Sequence, residues 1–60
     1  MTDSLDRLIR NAFAAFEYGE NATARRLANE ARTLVGTYIG QGRISVAEGK
    51  DILLDIEHIK

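Results

Sequence analysis

The chain contains no cysteine and no proline. Without cysteine it can build neither a disulfide framework nor a thiolate metal site, and nothing points to an oxidising compartment. Without proline, glycine is the strongest punctuation left, and Gly19, Gly36, Gly40, Gly42 and Gly49 carry it. Also missing is any apolar run near the ~20 residues of a membrane span. The start, Met1-Thr2-Asp3-Ser4, lacks the basic residues and apolar stretch of a signal peptide. The expectation is a cytoplasmic protein that does not enter a membrane. An excess of one charge is absent as well: eight Lys and Arg stand against nine Asp and Glu, for a net charge of -1. Such a chain has no global attraction for nucleic acid or anionic lipid, so any affinity of that kind must come from a local patch.

What remains is ordinary globular material, 45% hydrophobic and 28% charged, unlike the composition of a disordered chain. One domain over residues 1–60 is expected. At that length a hydrophobic core leaves little net stability once conformational entropy is subtracted, so a partner or a second copy would help.

Three amphipathic segments follow. In the first, Leu5, Leu8, Ile9, Ala12, Phe13, Ala15 and Phe16 fall within about 160° of a helical wheel, while Asp6, Arg7, Arg10, Asn11 and Glu17 take the rest. Thr2, Asp3 and Ser4 are competent N-caps, and Gly19 stands where a left-handed residue would end the helix. In the second, Ala24, Leu27, Ala28, Ala31, Leu34, Val35, Tyr38 and Ile39 share a face. Asn21 is its expected cap and Gly40-Gln41-Gly42 its end, with Gly36 on the polar side at a cost of about 1 kcal/mol relative to alanine. The third opens on Ser45-Val46-Ala47-Glu48, a capping box in which serine hydroxyl and glutamate carboxylate each satisfy a backbone donor. Val46, Ile52, Leu53, Ile56 and Ile59 form its inner face. The fold class is therefore all-α: an antiparallel helical hairpin, about 4–18 and 21–40, closed by a third helix over about 46–59. The alanines of helix two let helix one approach closely, with Phe13 and Phe16 filling the space between.

The stretch Ala14-Ala15-Phe16-Glu17-Tyr18-Gly19-Glu20-Asn21-Ala22-Thr23-Ala24, continued by Ala28 and Ala31, resembles the helix-turn-helix core of one tetratricopeptide repeat. Gly19, Ala24 and Ala31 fall in matching places. The repeat's large aromatic near the start and its closing proline are missing, and no second copy is present, whereas stacked repeats need about three units. The resemblance implies a hairpin geometry that small residues at a helix contact produce by packing alone, and no family is assigned from it. The chain also resembles a trihelical DNA-binding motif, with Gly40-Gln41-Gly42-Arg43-Ile44 as the turn and helix three as the reading helix. Its charges oppose that use, because Glu48, Asp51, Asp55 and Glu57 outweigh Lys50 and Lys60 and would be repelled by phosphates.

Helix two is the basic element: Arg25, Arg26 and Arg32 outweigh Glu30. Arg25, Asn29, Arg32 and Gly36 line one stripe. A solvated face with Arg25–Asn29 and Arg26–Glu30 contacts at helical spacing is expected, and an anion or nucleic-acid contact is the alternative use. On helix three, Glu48, Asp51 and Asp55 share a face that His58 extends. A single straight stripe spreads its ligands along the axis, so no metal is assigned. No nucleophile and base share a spacing, and no glycine-rich phosphate loop occurs, so neither catalysis, a cofactor nor a small-molecule substrate is expected.

Leu54 is the exception to the amphipathic order. It lies about 100° outside the apolar arc of helix three, beside Ala47 and between Lys50 and His58 one turn either way. Tyr18 is likewise off its helix's core arc, next to a turn, where an amphipathic aromatic suits an interface. Leu54, Ala47, Lys50, His58 and Tyr18 are the candidate protein-binding residues. The expected function is a non-catalytic interaction module that binds a larger protein or itself, of the kind found among small bacterial or phage regulators, inhibitors and adaptors. A nucleic-acid-associated protein using Arg25, Arg26 and Arg32 is the alternative, and a structural homo-oligomer, such as a homodimer, is the third reading.

Overall fold

The computed structural model of the chain describes residues 3–59. Among them Asp3–Glu17 form α1, Asn21–Gly40 form α2 and Val46–Ile56 form α3. The amphipathic periods dictate this order of helices, and each apolar stripe needs a partner to bury it. The central helix serves both others: α1 packs on α2, and α2 packs on α3, giving an all-α three-helix domain.

Both connections start from the same backbone device. Gly19 and Gly42 adopt positive φ values of 81° and 73°. After α1, the N–H of Glu20 donates to the carbonyl of Ala15 at 2.9 Å and that of Gly19 to Phe16 at 3.1 Å. After α2, the N–H of Arg43 donates to Tyr38 at 2.9 Å and that of Gly42 to Ile39 at 3.1 Å. These paired bonds are Schellman motifs, which satisfy the carbonyls a helix end leaves open and require a left-handed residue that glycine supplies without strain.

The buried side chains form one cluster of Leu5, Ala12, Ala15, Ala24, Ala28, Ala31, Val35, Tyr38, Ile44, Ile56 and Ile59, flanked by half-buried Leu8, Ile9, Phe13, Leu27, Leu34, Ile39, Ile52 and Leu53. Five of the eleven are alanines, so the backbones of α1 and α2 approach closely and the larger side chains line the edges. At the other contact the close-approach residue is Gly49, which is buried. A Cβ there would stand 2.5 Å from Cδ1 of Ile39 and 3.3 Å from Cγ1 of Val35. Gly49 thus sets how near α3 comes to α2, rather than marking a break in the chain.

Several local expectations are corrected. Phe16 is exposed rather than packed between α1 and α2. It sits in the last turn of α1, beside the turn at Gly19, and keeps 37% of its surface. Val46 is exposed rather than part of the inner face. The α3 residue that meets the last turns of α2 is Gly49, so the first turn of α3 projects past α2, and Ile44 takes the core position instead. Asn21 is the first helical residue and not the cap. That place belongs to Glu20, whose ψ of 68° departs from the extended conformation of a capping residue and whose side chain makes no cap bond; its N–H closes α1 and its carbonyl accepts from Ala24 at 2.9 Å. Asp3 and Ser4 lie inside the first turn of α1, and Thr2, the third candidate cap, lies outside the described residues. Finally, α3 ends at Ile56 instead of near 59. The N–H groups of His58 and Ile59 donate to Asp55 and Ile56 at 3.2 and 3.0 Å, a tight turn that brings Ile59 back into the core. The capping box is present as read, with Glu48 N–H donating to Ser45 Oγ at 3.1 Å and Ser45 N–H to Glu48 Oε1 at 3.4 Å.

Candidate functional site

Two exposed surfaces stand out, one on α3 and one on α2. On α3, Gly49 and Ile56 are buried and Ile52 and Leu53 half-buried, which defines the inner side. At 100° per residue, Val46, Lys50, Leu54 and Ala47 occupy about 100° of the outer side, and Glu48, Asp51 and Asp55 about the next 60°. All seven are exposed. Leu54 keeps 59% of its surface and Val46 57%, so this helix shows an apolar strip, interrupted by Lys50 and bordered by carboxylates.

The sequence-selected residues Leu54, Ala47 and Lys50 therefore share one surface. His58 is exposed too, but in the turn beyond α3, where its N–H caps onto Asp55. Among the described residues Tyr18 is the most exposed large apolar side chain, at 84%, and lies in the turn between α1 and α2, whereas α3 is joined to the other end of α2. It belongs to a separate surface. Val46 is the member expected in the core; it lies at the edge of the apolar arc, in the first turn of α3, and is exposed.

The half of α2 facing away from α1 and α3 is open, with a shallow groove between its own side-chain rows lined by Ala22, Arg25, Arg26, Asn29, Glu30, Thr33, Leu34 and Thr37. All the lining comes from one helix, so the groove has no walls to enclose a small molecule. The threonine hydroxyls turn back onto their own helix: Thr33 Oγ1 donates to the Asn29 carbonyl and Thr37 Oγ1 to the Thr33 carbonyl, each at 3.1 Å. Beside Leu34 this leaves an apolar patch toward the C-terminal part of the groove, with Arg26 and Glu30 between it and Ala22. The signal for it in sequence was weak, since threonines on a polar half-wheel read as solvated.

Of the two contacts expected among the polar side chains of α2, Arg26–Glu30 is present and Arg25–Asn29 is not. Arg26 meets Glu30 at 3.8 Å, with both side chains more than half exposed. Arg25 instead donates from Nε to the Asn21 carbonyl at 3.4 Å, and Asn29 is taken by Arg32, whose Nη1 donates to Oδ1 at 2.8 Å. Among the described residues no carboxylate lies within ion-pair distance of Arg25 or Arg32. Among the same residues no three His, Asp or Glu side chains converge on a point that could hold a metal ion, and no helix is long and apolar enough to cross a membrane. No family model, curated protein or solved structure matches the chain.

Proposed function

We propose that the chain is a non-catalytic protein-interaction module that docks through the outer face of α3. The observation that supports this reading is the pairing of exposed Leu54 and Val46 on a helix whose opposite side already supplies Gly49 and Ile56 to the core. One exposed leucine is ordinary on a protein surface; two large aliphatic side chains and an alanine on one side of a helix, flanking Lys50, offer more apolar area to a partner. Carboxylates at its border supply orientation and specificity, and the apolar strip supplies the area removed from water. On this reading the chain acts in the cytoplasm as a small regulator, inhibitor or adaptor, in keeping with the absence of cysteine.

The test is Leu54→Asp, with immobilised parent and variant compared for what they retain, whether another protein or soluble copies of the chain. Circular dichroism of the dilute variant should match the parent, and binding should be lost. Equal retention by a folded variant would show the face to be idle, and unfolding of the variant would place Leu54 in the core.

A further inference from the structure

We infer that the occupant of the α3 face is the open groove of α2 on a second copy of this chain, so that copies associate head to tail. This rests on the reading of α3 as a docking face and adds the identity of what docks there. Three observations converge on it. The first is charge. The exposed side of α2 carries Arg25, Arg26 and Arg32 against Glu30, whereas the described part of α3 and its following turn carry Glu48, Asp51, Asp55 and Glu57 against Lys50. The two faces attract one another, while α3 against α3 would set carboxylate on carboxylate.

The second is shape. Leu54 and Val46 stand out from a convex helix, and the α2 groove offers an apolar patch of Leu34 and the methyl groups of Thr33 and Thr37, whose hydroxyls are already bonded within α2, next to the Arg26–Glu30 pair. An apolar side chain resting on that patch leaves no hydroxyl stranded. The third is topology. Within one chain α3 turns Gly49 and Ile56 inward and its charges away, so the acidic face cannot reach the basic groove of its own α2. The match between the two faces is therefore one that a second copy supplies. Ridge and groove are different surfaces, which makes the contact heterologous: each copy uses its ridge on one neighbour and its groove on another, and assembly runs on into a chain or closes into a ring. One short helix in one open groove is a small interface, so the association is weak, reversible and salt-sensitive.

Heterologous contacts have a diagnostic that self-paired ones lack, because two different disabled copies can still complement each other. The experiment is sedimentation velocity on the parent, on Leu54→Asp, and on the double variant Arg25→Glu/Arg26→Glu, up to about 1 mM protein, where weak transient contacts are populated. Circular dichroism confirms folding of each; the new glutamates lie near the N-terminus of α2, where negative charge is favourable, and Leu54→Gln stands in if the aspartate unfolds α3. The parent should gain mass with concentration beyond a dimer and lose it in added salt. Each variant alone should stay monomeric, since one has lost its ridge and the other its groove. Their equimolar mixture should form a one-to-one heterodimer and stop there, the intact groove of one holding the intact ridge of the other. A parent that stays monomeric, or a mixture with no heterodimer, overturns the inference. Self-association that survives the arginine changes but not the Leu54 change leaves the α3 face standing and makes its occupant wrong; self-association untouched by the Leu54 change overturns both.

Discussion

The guanidinium of Arg43 lies over the ring of Tyr38, 5.3 Å from its centroid, where the backbone N–H of the same arginine donates to the carbonyl of the same tyrosine at 2.9 Å. The residue two places past a helix's C-cap commonly makes an apolar contact back onto the last turn. Here that contact is a cation on an aromatic face, and it places a positive charge near the C-terminal end of α2, where the helix dipole favours it. The turn that launches Ile44 into the core is thereby held from the side chain as well as the backbone.

The first prediction concerns that pair. Arg43→Ala should lower stability by about 0.5–1 kcal/mol, and Tyr38→Phe, which keeps the ring face, should leave the arginine's contribution intact. A double-mutant cycle in urea with Tyr38→Leu checks it: the arginine substitution should cost less once the ring is gone. Equal costs in the two backgrounds would mean the stacking contributes nothing.

Two glycines predict opposite outcomes. Gly36 is exposed in the interior of α2 with nothing within 4 Å of where a Cβ would stand, so Gly36→Ala should stabilise the chain by about 1 kcal/mol through helix propensity. Gly49 faces Ile39 and Val35 at contact distance or closer. Gly49→Leu should overpack the α2–α3 contact and cost roughly 1–3 kcal/mol. Thermal melts of the two variants should move in opposite directions.

The capping box gives a graded case. The serine hydroxyl accepts at 3.1 Å, whereas the return bond to Glu48 is 3.4 Å long, so the serine side carries more of the effect. Ser45→Ala should cost about 1 kcal/mol, a fall of roughly 4–8 °C in melting temperature for a chain this small, and Glu48→Gln clearly less. An unchanged midpoint for Ser45→Ala would mean that the cap does not hold α3.

What was legible in the sequence was what is decided locally. The box at Ser45 and the left-handed turn at Gly19 depend on residues three to five positions apart, and both stand in the structure. The exposure of Leu54 followed from the wheel alone, since no rotation of α3 buries both it and Ile56. What was missed depends on how elements sit against each other. Val46 and Ile44 exchanged roles because α3 meets α2 at Gly49, three residues into the helix, an offset no periodicity encodes. Phe16 lies mid-arc on the wheel yet keeps 37% of its surface, since the wheel does not record that it stands in the last turn of α1 beside the Gly19 turn. The groove on α2 stayed hidden because a threonine shows either its hydroxyl or its methyl, and the bonds of Thr33 and Thr37 to their own helix decide which.

The last prediction separates fold from docking on a single turn of helix. Leu54 and Ile56 are two residues apart on α3, both aliphatic and of nearly equal size, yet the first keeps 59% of its surface and the second 1%. Truncating a buried isoleucine removes its transfer free energy and leaves a cavity, typically 2–5 kcal/mol. A chain of this size commands only about 3–9 kcal/mol in total, so Ile56→Ala should melt tens of degrees early or fail to fold. Leu54→Ala opens no cavity and should stay within about 0.5 kcal/mol of the parent at low concentration. The same alanine removes most of the ridge that α3 offers a partner, so association should fall while the monomer's urea midpoint holds. Urea titrations at two protein concentrations read both effects at once: the parent's midpoint should rise with concentration and that of Leu54→Ala should not. Similar losses for the two variants at low concentration would put Leu54 in the core and remove the basis for a docking face on α3.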